Sequence, residues 1–455
     1  MKNLDIKNFN YVYFIGIGGI SMSALAKYFL GQGKTVLGSD ERPSQMTSAL
    51  IKLGVKVFFK HDKENLSKLD TAQTLVVYTS AILDDNPELV YAKIAGFKVV
   101  KRSQVLGRIL KEYKFSFTVS GSHGKTTTTT MLTTVLKNAG KNPTAFLGGE
   151  SLAFSNYLSG SKNVCVAEAC EFRKNFLDLS PTFSIVLNLD MDHHDSFDSF
   201  RDYVETFKKF TQNSISFINA DDKNSTELIG VKSITFGIKK SAQYIAKNIK
   251  KVSDGYTFTV YAFSRRLGKF YLPVKGRFNV YNALSVIAVC DTFGLSFDDI
   301  YSGLKSYSGV KRRAEKIGEI KGKPVICDYA HHPKEIASTL RALKSKNSLV
   351  IFQPHTYSRT KVLMKDFVKA LKNIENLIIY KTYPAREKLD EEGTAFALYH
   401  NLKGSNKNRV VYADSEVELV FKIKAFYNFS DVIVLGAGDV YETALKTVKI
   451  GIFKN

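Results

Sequence analysis

No apolar run in this 455-residue chain approaches the roughly 18 residues of a membrane span. Membrane insertion is therefore not expected. The opening MKNLDIKNFN has no apolar stretch ahead of a small-residue cleavage site, so the chain reads as cytoplasmic. Cysteine is scarce. Cys165, Cys170, Cys290 and Cys327 are scattered, with no pair at metal-ligand spacing, which argues against a disulfide scaffold or a zinc finger. Acidic residues are in deficit, 43 against 65 Lys and Arg, for a net charge of +22. The cations are spread along the chain, with no basic tail or helix and no helix-turn-helix or RNP-like signature, so a nucleic-acid partner is not expected. The excess either steers anionic small substrates or is background composition. No segment repeats at a solenoid period.

What is present is a chain able to bury a core, 44% hydrophobic and 24% charged, with length for about three domains. Strand-like runs alternate with helical ones from YVYFIGI (11–17) through SMSALAKYFLGQG (21–33), KTVLGSD, KVFFK and TLVVYTSAI. That alternation predicts a parallel sheet. A second round begins at FSFTVSGSHGKTTTTTMLTTVLKNAG (115–140). NVCVAEA and FSIVLNL there read as strands buried on both faces. GRFNVYNALSVIAVCDTFG (276–294) reads as a helix. A third round runs through PVICDYA, SLVIFQPH, ENLIIYKTY, VVYAD and DVIVLGAGD. The expectation is an α/β chain of three domains. They are a Rossmann-like N-terminal domain (1–112), a central P-loop ATPase-type domain (113–312) and a C-terminal Rossmann-like α/β domain (313–455).

Two glycine-rich loops stand at strand–helix junctions. In the first, Gly16, Gly18 and Gly19 let bare backbone approach a pyrophosphate at a helix N-terminus, and Asp40 ends the next strand. Ser21 occupies the third glycine position of the dinucleotide fingerprint, so the loop fits a nicotinamide site, another nucleotide or a tight turn. The second is sharper. Gly121, Ser122, His123, Gly124, Lys125 and Thr126, followed by Thr127, give G-x-x-G-K-T between strand and helix. Backbone amides would cradle phosphates, Lys125 would reach the terminal ones and Thr126 would ligate Mg²⁺. Val119 stands where the common pattern has glycine, and a capped Thr-rich helix start is the plain alternative.

Six of the eight histidines fall in four short stretches: His123, His193 with His194, His331 with His332, and His355. Glu168 ends one strand, and Asp192, His193 and Asp195 follow the next. A carboxylate and an imidazole there suit a divalent ion between ATP and a second substrate, although Asp195 can equally cap a helix. DYAHHP and FQPHTYSRT bring Asp328, Tyr329, His331, His355 and Arg359 to strand ends, a set suited to a small carboxylate ligand or to ordinary loop polarity.

In order, GIGGISMSALA, GSHGKTTTT, NLDMDHHD, GRFNVYNAL, SGVKRRAE, DYAHHPKE, FQPHTYSRT and VLGAGD resemble the Mur ligases, from about residue 11 to 440. Within that family the likeness is to the members that use free L-alanine. The resemblance implies an ATP- and Mg²⁺-dependent enzyme of peptidoglycan precursor synthesis, a monomer or weak homodimer. It would join L-alanine to the lactyl carboxylate of UDP-N-acetylmuramate through an acyl phosphate, releasing ADP and phosphate. The first loop would then hold UDP and the second ATP. By this resemblance Lys125 contacts phosphate, and Thr126, Glu168 and His193 are metal ligands. Asn279 and Asn282 lie on the adenine side, and Arg313 and Asp328 complete the ATP site. Tyr329, His331 and Arg359 line the alanine site. Gly16, Gly18, Gly19, Ser21, Asp40, His61, Ser80 and Arg102 handle the UDP-sugar. Lys125, Glu168, His193, His331 and Arg359 carry the chemistry, with His331 a candidate acceptor of the amine proton.

The chain departs from the commoner family motif E-A-D-E-S-D, having EACEFR at 168–173. Cys170 replaces an acid and Arg173 reverses a charge. Thr356 stands where some relatives carry arginine. Three other readings remain: a family member that attaches a peptide to the same sugar, a nicotinamide-dependent oxidoreductase built on the first loop, and a non-catalytic nucleotide-binding module that senses UDP-sugars.

Overall fold

The computed structural model describes residues 5–190, 197–385, 387–405 and 409–449. The chain divides into two compact units, Met1–Pro273 with Phe278–Gly309, and Val274–Arg277 with Val310–Asn455.

The first unit opens with five strands: β1 (Tyr11–Ile15), β2 (Thr35–Ser39), β3 (Lys56–Phe58), β4 (Thr74–Tyr78) and β5 (Lys98–Lys101). All pair in parallel, in the order β3-β2-β1-β4-β5. Strand order reverses beside β1. The loops after β1 and β4 therefore diverge there and leave a crevice at the carboxyl edge. The strands are apolar because helices cover the sheet, and Val12, Tyr13, Phe14 and Ile15 are fully buried.

A larger sheet follows: β6 (Phe115–Ser120), β7 (Thr144–Ser151), β8 (Ser155–Leu158), β9 (Val164–Glu168), β10 (Phe183–Val186), β11 (Ile215–Asn219), β12 (Ser233–Gly237), β13 (Tyr244–Val252), β14 (Gly255–Ala262) and β15 (Arg265–Leu272). Its order is β15-β14-β13-β12-β11-β10-β6-β9-β7-β8. The alternation of the sequence captures the parallel centre but not the antiparallel flanks β13–β15 and β7–β8. One hydrophobic cluster runs from Val12 and Phe29 to Phe146, Phe176 and Phe207, so the two sheets share a core. Buried Asn156 fastens them: it donates to the Ile20 carbonyl (2.7 Å) and Ser23 Oγ (2.9 Å), and accepts from Lys27 (2.6 Å).

The second unit holds β16 (Glu315–Ile320), β17 (Lys323–Asp328), β18 (Leu349–Phe352), β19 (Asn376–Tyr380), β20 (Arg409–Ala413) and β21 (Val432–Leu435), in the order β16-β17-β21-β18-β19-β20. Only β16–β17 is antiparallel. The ends of β17, β21 and β18 therefore lie side by side, and the loops that follow them share one edge. Among the described residues no helix is long and apolar enough to cross a membrane.

Candidate active site

The phosphate-type loop at 121–124 follows β6, whose neighbours are β9 and β10. Register places Val119 opposite Glu168 and Ser120 opposite Val186. This brings Glu168 and the 187–190 segment to the loop. Gly121 has φ +119°, and a Cβ there would stand 2.9 Å from the Asn188 carbonyl. Gly124, φ +86°, caps the helix Lys125–Asn138 in a left-handed conformation, and a Cβ would meet Asn282 Oδ1 at 2.8 Å. Any side chain at either position costs both strain and space. The helix is rich in threonine, a poor helix former. Thr129, Thr130, Thr133 and Thr134 each donate a hydroxyl hydrogen bond of 2.8 Å to the carbonyl four residues back, which lets these polar groups face the interior.

Lys125 folds back over the loop. Its Nζ donates to the carbonyls of Gly121 (2.6 Å) and Ser122 (3.1 Å), and lies 3.2 and 3.1 Å from the two carboxylate oxygens of Glu171. Burial works against the charge, but Glu171 outweighs it and the ammonium is held above its ordinary range. The other loop residues are equally fixed. Ser122 Oγ pairs with the Asp190 backbone and Tyr203, the His123 amide donates to Asn188 Oδ1 (2.9 Å), and Thr127 is half-buried. Asn279 and Asn282, buried on the helix Phe278–Thr292, bond to each other at 2.9 Å.

Thr126 Oγ1 donates to Glu168 Oε2 at 2.7 Å. The same oxygen accepts from the Gly148 amide at 3.2 Å. Among the described residues no group of three or more His, Cys, Asp or Glu could hold a metal. His193, together with Asp192 and Asp195, lies outside the described residues. The helix that follows is capped by Ser199, whose side chain accepts from the Asp202 amide. Thr126 and Glu168 nevertheless offer two adjacent hard oxygen donors beside a phosphate loop. That suits Mg²⁺, which draws most of its shell from water and phosphate oxygens.

Sequence reasoning missed Glu171 and Gly148. Glu171 is three residues beyond Glu168 in an acidic motif, which is a usable signal. Gly148 gives none: a Cβ there would overlap the carboxylate of Glu168 itself. Gly148→Ala should therefore displace Glu168 and cut turnover about tenfold or more, with a raised Mg²⁺ requirement. Wild-type Mg²⁺ titration in that variant would count against Glu168 as the metal carboxylate.

The departures in EACEFR have distinct surroundings. Burial pushes the Cys170 thiol up, so it stays neutral. Arg173 and Lys174 have φ of +50° and +58°, a strained pair. Arg173 donates to the Ser80 carbonyl at 2.6 Å, and Lys174 to Asp202 at 3.0 and 2.9 Å. A cavity of about 170 Å³ lies there, with Tyr78, Ser80, Lys101 and Arg173 in its wall.

At the N-terminal sheet the expected UDP-sugar residues gather at the carboxyl edge. The Gly16 amide donates to the Ser39 carbonyl (2.9 Å), and a Cβ on Gly16 would press on Thr79 at 3.0 Å. Asp40 Oδ2 accepts from the Gly18 amide at 2.8 Å, so this acid also shapes the loop. Gly19 caps the helix Ile20–Gly31, on which Ser21 lies. Ser80 bonds Asn175 (3.0 Å), and His61 bonds Ser39 and Glu88 (3.0 Å each). Arg102 has another setting. Burial lowers its hold on the proton, opposed by the nearby carboxylates of Glu168, beside the phosphate loop, and Asp178.

In the second unit Asp328 ends β17 and is held by its own surroundings. It accepts from the amides of Ala314 (2.8 Å) and Ala330 (3.0 Å) and from Thr339 (3.2 Å), while burial pushes its carboxyl up. Arg312 and Arg313 lie over the Tyr329 ring, at 4.8 and 5.0 Å. The Tyr329 and His331 rings meet at 5.3 Å, and those of His331 and His355 at 5.5 Å. Arg359 reaches His355 Nδ1 at 3.3 Å. Thr356, with φ +69°, caps the helix that carries Arg359 and takes the Arg359 amide at 3.4 Å. His331, the expected proton acceptor, sits in a setting that disfavours that role. Burial, opposed by Glu335 and reinforced by Arg359, pushes the His331 imidazole down to about 4. Its Nδ1 donates to the Tyr329 carbonyl at 3.0 Å. An imidazole held that low is a weak base, which disfavours His331 as the acceptor of the amine proton.

Three family models match in sequence: the Mur ligase family catalytic domain over 11–114, the Mur ligase middle domain over 119–290 and the Mur ligase glutamate ligase domain over 312–438. The chain is 40% identical over 452 residues to a UDP-N-acetylmuramate–L-alanine ligase of Acetivibrio thermocellus, covering 96% of each. It is 38% identical over 442 residues to one of Aquifex aeolicus, covering 94% of this chain and 95% of the relative. The structure of UDP-N-acetylmuramate-alanine ligase MurC from Thermotoga maritima matches with a TM-score of 0.84 at 31% identity, over 97% of this chain and 98% of that one. A murein peptide ligase from Psychrobacter arcticus shares the fold, with a TM-score of 0.73 at 22% identity over 98% of this chain and all of that one. With these models spanning most of its length, the chain belongs to the Mur ligase family.

Proposed function

We propose that this chain joins L-alanine to the lactyl carboxylate of UDP-N-acetylmuramate, with ATP cleaved to ADP and phosphate. The names of its full-length relatives support the substrates. The phosphate loop carries the ATP reading: Lys125 lies across it, with Thr126 and Glu168 2.7 Å apart at its mouth. In the proposed division, residues 1–112 take the UDP-sugar, 113–312 the ATP and 313–455 the amino acid.

In the first step a lactyl carboxylate oxygen bonds to the γ-phosphorus as the bond to ADP breaks. Lys125 neutralises the transferring charge, and the amides of the loop hold the phosphates. Magnesium bound by Thr126 and Glu168 would screen the repulsion between carboxylate and phosphate. In the second step the amine attacks the acyl carbon, phosphate leaves, and the amine's proton passes to water. Arg359 holds the alanine carboxylate, with Tyr329 and His331 fixing its orientation.

Phosphate release from ATP, measured with UDP-N-acetylmuramate and each amino acid in turn, tests this. Release that depends on L-alanine is expected. Release dependent on a tripeptide instead would move the chain to peptide attachment, and a nicotinamide-linked absorbance change would move it to redox chemistry. Arg359→Lys keeps the charge but loses the planar fork. It should raise the KM for alanine about tenfold and leave those for ATP and UDP-sugar nearly unchanged. A rise confined to ATP would place Arg359 on phosphate.

A further inference from the structure

A buried carboxylate lies beneath the N-terminal crevice. Glu88, on the helix Pro87–Ile94, is fully buried, yet it accepts four hydrogen bonds. Tyr13 Oη of β1 donates at 2.7 Å, Asn65 Nδ2 at 2.7 Å and His61 Nδ1 at 3.0 Å, and Ser39 Oγ of β2 supplies the fourth. Neutral hydroxyls and an amide solvate an anion but do not cancel its charge. His61 is the one group of the four that can. It lies in the loop after β3, and its side chain is 11% exposed.

The bonding also settles what His61 can offer. Ionised Glu88 has no proton to give, so Nδ1 carries the hydrogen of the 3.0 Å contact. Nε2 is then a bare acceptor in the neutral ring and a donor in the cation. Among the described residues no hydrogen bond reaches Nε2, and it is not among the sealed, unpartnered atoms. Only the cation presents an N–H to an anionic ligand. The charged groups around the ring are Glu88 from below and Asp40 and Glu41 from the segment after β2, all of which favour the cation. On its own loop, Lys60 is paired with Asp62 at 2.8 Å. The hydrogen bond to Glu88 is the largest influence, and it holds the imidazole above its ordinary range against the cost of burial.

We propose that Glu88 is a positioning residue that keeps His61 as an imidazolium with Nε2–H aimed at the diphosphate of the UDP-sugar, so that UDP-sugar binding weakens as pH rises. The proposal rests on the reading that the N-terminal sheet holds that substrate. The sign follows from linkage. A raised value in the folded protein keeps the cation present to higher pH than a free imidazole would and loses it as pH climbs through that value.

Two measurements on the full chain test it. The first is NMR titration of labelled histidines, with His61 assigned from its absence in His61→Gln. It should show His61 titrating above the ordinary ~6.5, and about one unit or more lower in Glu88→Gln. The second is calorimetric binding of UDP-N-acetylmuramate between about pH 6 and 8.5, where histidine changes charge. Wild type should lose several-fold affinity across that range. Glu88→Gln should bind more weakly at neutral pH, with its profile moved to lower pH. Glu88→Asp should recover part of both. If Glu88→Gln fails to fold, His61→Gln decides, because it must flatten the pH dependence. A flat wild-type profile, or an unmoved His61 titration in Glu88→Gln, overturns the proposal while the substrate assignment stands. No UDP-sugar binding by wild type at any pH overturns both.

Discussion

Lys125→Ala should lower turnover by about 10²–10³-fold, the ~2.7–4 kcal/mol typical of losing one electrostatic stabiliser of a transition state. Phosphoryl transfer leaves the protein little covalent work, so the loss falls on charge stabilisation. The geometry adds a second consequence. Lys125 also neutralises Glu171, which is 1% exposed, and the substitution leaves that carboxylate buried and unpaired. Removing one partner of such a pair typically destabilises by about 3–5 kcal/mol. Lys125→Ala should therefore melt lower as well as turn over more slowly. Lys125→Ala with Glu171→Gln should recover the melting temperature but not the rate. UDP-sugar affinity, measured by calorimetry, should stay near wild type in both. Near-normal turnover of the single variant would remove Lys125 from the chemistry.

The second large effect is expected at Glu168. Glu168→Gln keeps the shape and the acceptor for Thr126 and Gly148 but removes the negative charge. Turnover should fall about 100-fold at ordinary Mg²⁺, with partial recovery as Mg²⁺ is raised, since a carboxylate ligand contributes chiefly to metal affinity. The fold should be retained because both hydrogen bonds to Glu168 survive, with a lowered melting temperature because buried Arg102 and Lys125 lose a nearby counter-charge. Rapid-quench measurement should place the loss in phosphoryl transfer, before the amine attacks. A Mg²⁺ dependence identical to wild type would put the metal elsewhere.

The chain's local chemistry was legible from residues alone. Apolar runs such as FSIV and VCVA announce strands covered on both faces, and all eight residues are buried. The phosphate loop could be read because its parts are consecutive: a strand, two glycines forced to positive φ, a lysine and a threonine at a helix start. The same holds for the turn at Gly16 and Gly18. The residue pattern also gathered Tyr329, His331, His355 and Arg359 at strand ends, and their side chains do lie close together.

The pairings were decided only by tertiary structure. Lys125 and Glu171 are 46 residues apart, Gly148 and Glu168 are 20 apart, and His61 and Glu88 are 27 apart. Strand order sets these neighbours: β9 lies beside β6 and β7, while β2 and β1, which carry Ser39 and Tyr13, stand between β3, which His61 follows, and β4, which precedes the helix of Glu88. Sequence periodicity reports which residues face inward, but not which strand stands next to which. Ionisation is non-local for the same reason. His331 has an ordinary histidine's sequence, yet burial makes it a poor base. His61 has an equally ordinary sequence, yet its hydrogen bond to a buried glutamate strengthens its hold on the proton. Residue type sets what each group can do, and the packing around it sets which protonation state it holds.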